Sequence, residues 1–209
     1  PWVKVSSSPI GKYRDTNRYP SRGWNAYHVV YQDAQRWLKE GIHDALFPMM
    51  YFQGNNFYPF ALDWKENDGK RWIIPGLGIY FLSPREQDWP LDEIVRQIHF
   101  TRQIKLNGQA YFRNRFLLDN TKGVLDELEE NFYTYPALIP PMTWSDSIPP
   151  SVPSHPSVQQ IANGKLRMSW QASADNSNQS VVYHLYGSDT YPVDIKQPQN
   201  LIATHLIAN

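Results

Sequence analysis

The sequence predicts an α/β protein with a parallel sheet over residues 1–147, followed by a smaller all-β part over residues 158–209. Three observations carry that expectation. In the first part apolar residues come in short continuous runs, as in strands buried on both faces. Helix-period stripes alternate with those runs, which is the order that right-handed β-α-β crossovers need. Then Ile148–Pro156 places four prolines in nine residues. Such a stretch is stiff and poor in backbone donors, so residues 148–157 read as a linker.

Taken in order, Val3 to Pro9 is the first expected strand. Gln32 to Glu40 is a helix, with Ala34, Trp37 and Leu38 on its inner side and Gly41 as its stop. Asp44 to Phe52 and Trp72 to Leu82 carry the apolar runs of two further strands. Leu91 to Leu106 is the clearest helix, because Leu91, Ile94, Val95 and Ile98 form a stripe at helical spacing. Asn107-Gly108 ends it. Gln109 to Phe116 is the fourth strand, and Lys122 to Asn131 a last helix that buries Val124, Leu125 and Leu128. Beyond the linker, Lys165 to Trp170, Ser180 to Tyr186 and Leu201 to Ile207 read as strands of a β-sandwich, with a turn at Asp175–Asn178.

Composition removes several function classes. The 209 residues hold 20 basic and 20 acidic side chains. A zero net charge argues against nucleic acid as the main partner. No apolar run approaches the roughly 20 residues of a membrane span. Pro1-Trp2-Val3-Lys4-Val5 opens no signal peptide. With no cysteine, thiol catalysis and Cys-held zinc are excluded. The six histidines form no HxH or HExxH pattern, so no metal is expected. Gly76-Leu77-Gly78 lacks the third glycine of a dinucleotide fingerprint, and no cofactor is expected. Aromatic residues make up 14% of the chain, with 8 Trp and 13 Tyr. Exposed aromatic faces stack on sugar rings, although most aromatics serve packing.

Residues 1–147 resemble the glycosyl-hydrolase-like family 10 of bacterial (β/α)8-barrel proteins. The resemblance rests on Val3–Gly11, Asp33–Leu38, Asp44–Tyr51 with Pro48-Met49-Met50-Tyr51 at its end, and Gly76–Tyr80. Gln97-Ile98 with Arg102, Gly108–Leu117 and Tyr135–Leu138 complete it. Residues 158–209 resemble a fibronectin type III domain through Leu166–Trp170, Tyr183–Ser188 and Pro198–Thr204. The resemblance implies the C-terminal half of a TIM barrel, strands five to eight, followed by part of a sandwich. A full barrel takes about 250 residues, and a full sandwich about 100. The chain therefore reads as a fragment, inactive alone, with its principal catalytic acid expected in a missing N-terminal half. An extracytoplasmic place is implied by the same resemblance. Open half-barrel edges suggest a homodimer.

Glycoside hydrolysis uses two carboxyl groups flanking the scissile bond. No expected strand tip carries one, and Asp15, Asp63 and Glu66 read as acids on solvated loops. The strand tips instead suggest a sugar-binding wall. Tyr51, Gln53 and Tyr80 lie there, able to stack and to exchange hydrogen bonds with hydroxyls. Trp24 and Trp64 are expected on loops bordering the same face, and Arg113 at the fourth strand end can hold a carboxylate bidentately. Two functions follow: a glycoside hydrolase acting on oligo- or polysaccharide, or a non-catalytic glycan-binding or structural protein.

Overall fold

The computed structural model describes residues 3–21, 23–177 and 180–207. The expected opening at Pro1-Trp2 and the end of the turn at Asn178 lie outside the described residues. The chain divides into two compact units, Pro1–Phe132 and Tyr133–Asn209.

The first unit is mixed α/β. Its elements are β1 (Ser6–Ser7), α1 (Ala34–Lys39), β2 (Ala45–Leu46), β3 (Met49–Met50) and α2 (Tyr58–Glu66). Then follow β4 (Trp72–Ile73), β5 (Gly76–Leu77), α3 (Leu91–Gln103), β6 (Ala110–Tyr111), α4 (Arg115–Leu118) and α5 (Val124–Glu127). The strands form two three-stranded parallel sheets, ordered β1-β2-β4 and β3-β5-β6.

The half TIM barrel expected over this region is not formed. Four long strands were expected; among the described residues of this unit there are six strands of two residues in two small sheets, and no barrel. The physical reason is a row of prolines. Ser7, Leu46 and Ile73 share one register row, and Ile10, Met49 and Gly76 share another. Between them Pro9, Pro48 and Pro75 fall level with one another. Proline supplies no N–H, so each strand loses a ladder bond at that row. The carbonyls still accept: Met49 N–H donates to Pro9, Gly76 to Pro48 and Ala110 to Pro75, at 2.9, 2.8 and 2.9 Å. At β1 a side chain fills part of the gap. The Ser8 hydroxyl donates to the Phe47 carbonyl at 2.6 Å, the acceptor that a residue 9 N–H faces in an unbroken ladder.

The helices pack one apolar core around these sheets. Phe57, Phe60, Ala61 and Trp64 recur at helical spacing and are fully buried. Pro59 starts their helix, as proline does in a first turn. The Trp64 indole N–H donates to the Gly11 carbonyl at 2.6 Å, fixing α2 to the end of the first strand. Gly11 is obligatory there, because a Cβ would sit 2.3 Å from the Met49 carbonyl oxygen. On α3, Ile94 and Ile98 enter the core, while Glu93, Gln97 and Thr101 make a buried polar stripe.

The second unit holds two antiparallel ladders, β7 (Ser154–Gln160) with β8 (Leu166–Gln171), and β9 (Val182–Tyr186) with β10 (Leu201–Ile207). β7 starts inside the proline-rich stretch, and its register shifts between Ser154 and Ser157, where Pro156 lacks a donor. Among the described residues no helix is long and apolar enough to cross a membrane.

The Ser8 bond gives a direct check. Ser8→Ala should lower stability by about 1 kcal/mol, the usual net worth of one hydrogen bond. Combined with Pro9→Ala, which restores a backbone donor to that row, the loss should shrink by at least half. Chemical denaturation of the unaltered chain, the two single variants and the double variant measures this coupling. Equal losses in both backgrounds would show that the hydroxyl does not stand in for the missing N–H.

Candidate functional site

Beyond the proline row the chain segments run past the second sheet and turn. Tyr51 follows β3, and Gly76 and Gly78 face it. A Cβ on Gly76 would lie 3.2 Å from the Tyr51 ring, and one on Gly78 would lie 3.1 Å from Tyr51 Cβ. The two glycines therefore make the space in which the Tyr51 ring rests. Tyr80 sits in a single 3-10 turn, Ile79–Leu82, rather than at the tip of a long strand. The early end of β5 at Leu77 and the Gly78 turn put it there. Its N–H donates to the Phe112 carbonyl at 3.2 Å, which ties that turn to the chain after β6.

These three segments bring three rings together. Tyr51 stacks on Phe112 with centroids 5.2 Å apart and planes 15° from parallel. Tyr80 meets both edge-on, 5.7 Å from each centroid. Phe81 and Trp89 extend the cluster, Phe81 lying 4.0 Å from Tyr80 and 4.7 Å from Trp89. Tyr51 and Tyr80 are half-buried, whereas Phe112 is exposed. The wall thus offers an aromatic face with two phenol hydroxyls, a combination suited to stacking and hydrogen bonding together.

Burial raises the Tyr51 phenol above its ordinary value, and the neighbouring Tyr80 adds to the shift. Burial also raises Tyr80; Glu86 pushes the same way and Arg113 opposes it. Both phenols therefore stay protonated, and able to donate, at neutral pH. Glu86 is the carboxylate that Tyr80 senses, and it stands on the exposed loop after the turn. Sequence reasoning did not single it out, and neither periodicity nor motif marks it.

The other expected residues divide. Gln53 is exposed, two residues past Tyr51, and its carbonyl receives the Asn56 N–H at 3.1 Å. Arg113 directly follows Phe112, is exposed, and lies over the Phe116 ring at 5.4 Å. Trp24 is 68% exposed on a loop. Trp64 is not on a loop: it belongs to α2 and has no exposed surface. Its period with Phe57, Phe60 and Ala61 is the helix signal that identifies it as core. Asp63 and Glu66 are on the same helix rather than on a loop. Asp63 accepts from Gln35 at 2.9 Å, and burial raises its pKa. Glu66 is held by Arg18 through two bonds of 2.6 and 2.7 Å, which lower its pKa. Asp15 accepts from Ser21 at 3.3 Å.

The loop behind the wall is anchored from α3. The Gln97 amide nitrogen, fully buried, donates to the Phe52 carbonyl at 2.8 Å and to Glu93 at 2.9 Å. Glu93 is in turn paired with Arg96 at 2.7 Å. Among the described residues no three His, Asp or Glu side chains gather around a possible metal position.

No protein-family model matches the chain. It is similar to glycosyl hydrolase YngK of Bacillus subtilis (strain 168). The two are 29% identical over 218 residues, covering 98% of this chain and 42% of that protein. It is also similar to glycosyl hydrolase DigH of Escherichia coli (strain K12), 26% identical over 141 residues, covering 56% of this chain and 31% of that protein. The chain thus spans less than half the length of the curated relatives it matches. Its similarity is to proteins named glycosyl hydrolase.

The phenols provide a pH test. A tyrosine whose folded pKa is raised favours the protonated state, so its contribution to stability falls as pH rises above the unfolded value of about 10. In an absorbance titration of the folded protein Tyr51 and Tyr80 should ionise above that value, in a late phase they share with Tyr13 and Tyr58, which burial also raises. Tyr51→Phe and Tyr80→Phe should each remove part of the late phase. A single transition near 10 in the folded protein would show that burial does not hold these phenols.

Proposed function

We propose that this chain carries a glycan-binding wall of a glycoside hydrolase, built from Tyr51, Tyr80 and Phe112 and bordered by Gln53, Arg113 and Trp24. The single observation that carries this reading is the ring cluster itself, three aromatic rings brought together by the chain after β3, β5 and β6, two of them protonated phenols. The similarity to proteins named glycosyl hydrolase supports it. The finer placement, in glycosyl-hydrolase-like family 10 with a fibronectin type III-like module behind, belongs to the same proposal and rests on the motifs quoted above.

Cleavage requires two carboxyl groups about 5 to 9.5 Å apart. The wall senses Glu86, while Glu66 is tied up by Arg18 and Asp63 sits on α2 with Gln35. We therefore read the chain by itself as binding oligosaccharide without hydrolysing it. The catalytic pair belongs to the whole enzyme.

Titration of the 209-residue chain with cellohexaose, chitohexaose and an oligogalacturonate, followed by aromatic fluorescence and calorimetry, checks this reading. Binding of at least one, without release of reducing ends, is the expected result. Tyr51→Ala or Tyr80→Ala should weaken it about tenfold or more, the scale of a lost stacking and hydrogen-bonding contact. Trp64→Phe should leave affinity unchanged, because that ring faces the core. Absence of binding to all three, or equal binding by both tyrosine variants, would defeat the proposal.

A further inference from the structure

Lys12 is a buried cation that the aromatic wall does not use directly. Only 6% of the residue is exposed. Its ammonium donates to Asn56 Oδ1 at 2.8 Å and lies over the rings of Phe52 and Phe60, 4.8 and 5.2 Å from their centroids. The loop that bears Trp24 lies close to it as well. A Cβ at Gly23 would stand 3.8 Å from Lys12 Nζ. The Lys12 carbonyl accepts the Ala26 N–H at 2.8 Å, and the next carbonyl, of Tyr13, accepts the Tyr27 N–H at 2.9 Å. One residue therefore meets the loop after β1, the turn after β3, and α2.

We propose that Lys12 is the positioning residue of the wall, whose buried ammonium sets the Trp24 loop and the Gln53–Asn56 turn against each other. Burying a charge is costly, and a well-packed apolar residue of similar length is often neutral or stabilising in its place. Burial accordingly lowers the lysine pKa, with the Asp15 charge acting in the opposite direction. A residue present only for packing need not carry that charge. The ammonium supplies what an apolar chain cannot: a directed bond to Asn56 and attraction to two ring faces at once. Its consequence for sugar binding rests on the glycan-binding reading above, but its role in ordering the two loops is independent of it.

The test uses Lys12→Met, Lys12→Arg and the milder Asn56→Leu in the full chain. Hydrogen exchange is read over residues 23–31, 52–57 and, as a control, 91–103. Lys12→Met should keep its melting temperature within a few degrees while both loops exchange about tenfold faster, because local opening is separable from global stability. Asn56→Leu should loosen 52–57 alone, and Lys12→Arg should restore slow exchange in both loops. Affinity for chitohexaose and cellohexaose should fall about tenfold in Lys12→Met and recover in Lys12→Arg. Unchanged exchange in both loops of folded Lys12→Met, or in 52–57 of Asn56→Leu, would overturn the proposal. If the unaltered chain binds neither sugar, the glycan reading fails, and the exchange results alone decide the role of Lys12.

Discussion

A proline nitrogen carries no hydrogen, and three of them in one register row set the form of the first unit. Pro9, Pro48 and Pro75 stand level between two sets of parallel rungs. Their carbonyls continue to accept across the row, so the neighbouring strands stay in contact. Their missing donors interrupt the ladder, so the chain segments of β2 and β4 stop and restart as β3 and β5, and that of β1 continues as a single bridge at Ile10. Each chain segment then leaves the second sheet after only two residues. That early exit frees Tyr51, Tyr80 and Phe112 from the pleat and lets their rings meet.

The meeting needs space as well as direction. Gly76 and Gly78 provide it, since a Cβ at either position would press on Tyr51. The surrounding loops are held by polar groups that are themselves buried. Gln97 reaches from α3 to donate to the Phe52 carbonyl, and Glu93 accepts a second bond from the same amide. Lys12 reaches from the first strand end to Asn56. These groups are costly to bury without partners. Gln97 and Lys12 both act on the chain that directly follows Tyr51, at Phe52 and Asn56, and the core itself is completed by Trp64, Phe60 and Ile73.

Some of this was legible in the sequence. The stripe at Leu91, Ile94, Val95 and Ile98 predicts a helix, and α3 runs Leu91–Gln103. The apolar runs at Asp44–Phe52 and Trp72–Leu82 mark the segments that pair in parallel, but not the length of their strands. A proline in a run reads as a local defect. That three of them share a row is visible only once the register is known, and with that row the expectation of a half barrel fails. The helix α2 was hidden for another reason. Its many aromatics and its Pro59 suggest a loop, although Phe57, Phe60, Ala61 and Trp64 keep a helical period. Lys12 left no signal at all, because one lysine after a strand is ordinarily a solvated charge. Tyr51, Tyr80 and Arg113 were named because strand ends are where an α/β sheet presents side chains; Tyr51 directly follows β3, whereas Tyr80 sits in a 3-10 turn beyond β5.

Glycan binding by this surface requires physical contact between a sugar ring and the Tyr51–Tyr80–Phe112 wall. Transferred nuclear Overhauser measurements on the full chain with bound oligosaccharide test it most directly. Cross-relaxation from sugar ring protons to the aromatic protons of Tyr51, Tyr80 and Phe112 is the expected result. Cross-relaxation confined to Trp170, Tyr183 or other aromatics of residues 133–209 would contradict it, and would move the binding surface to the second unit.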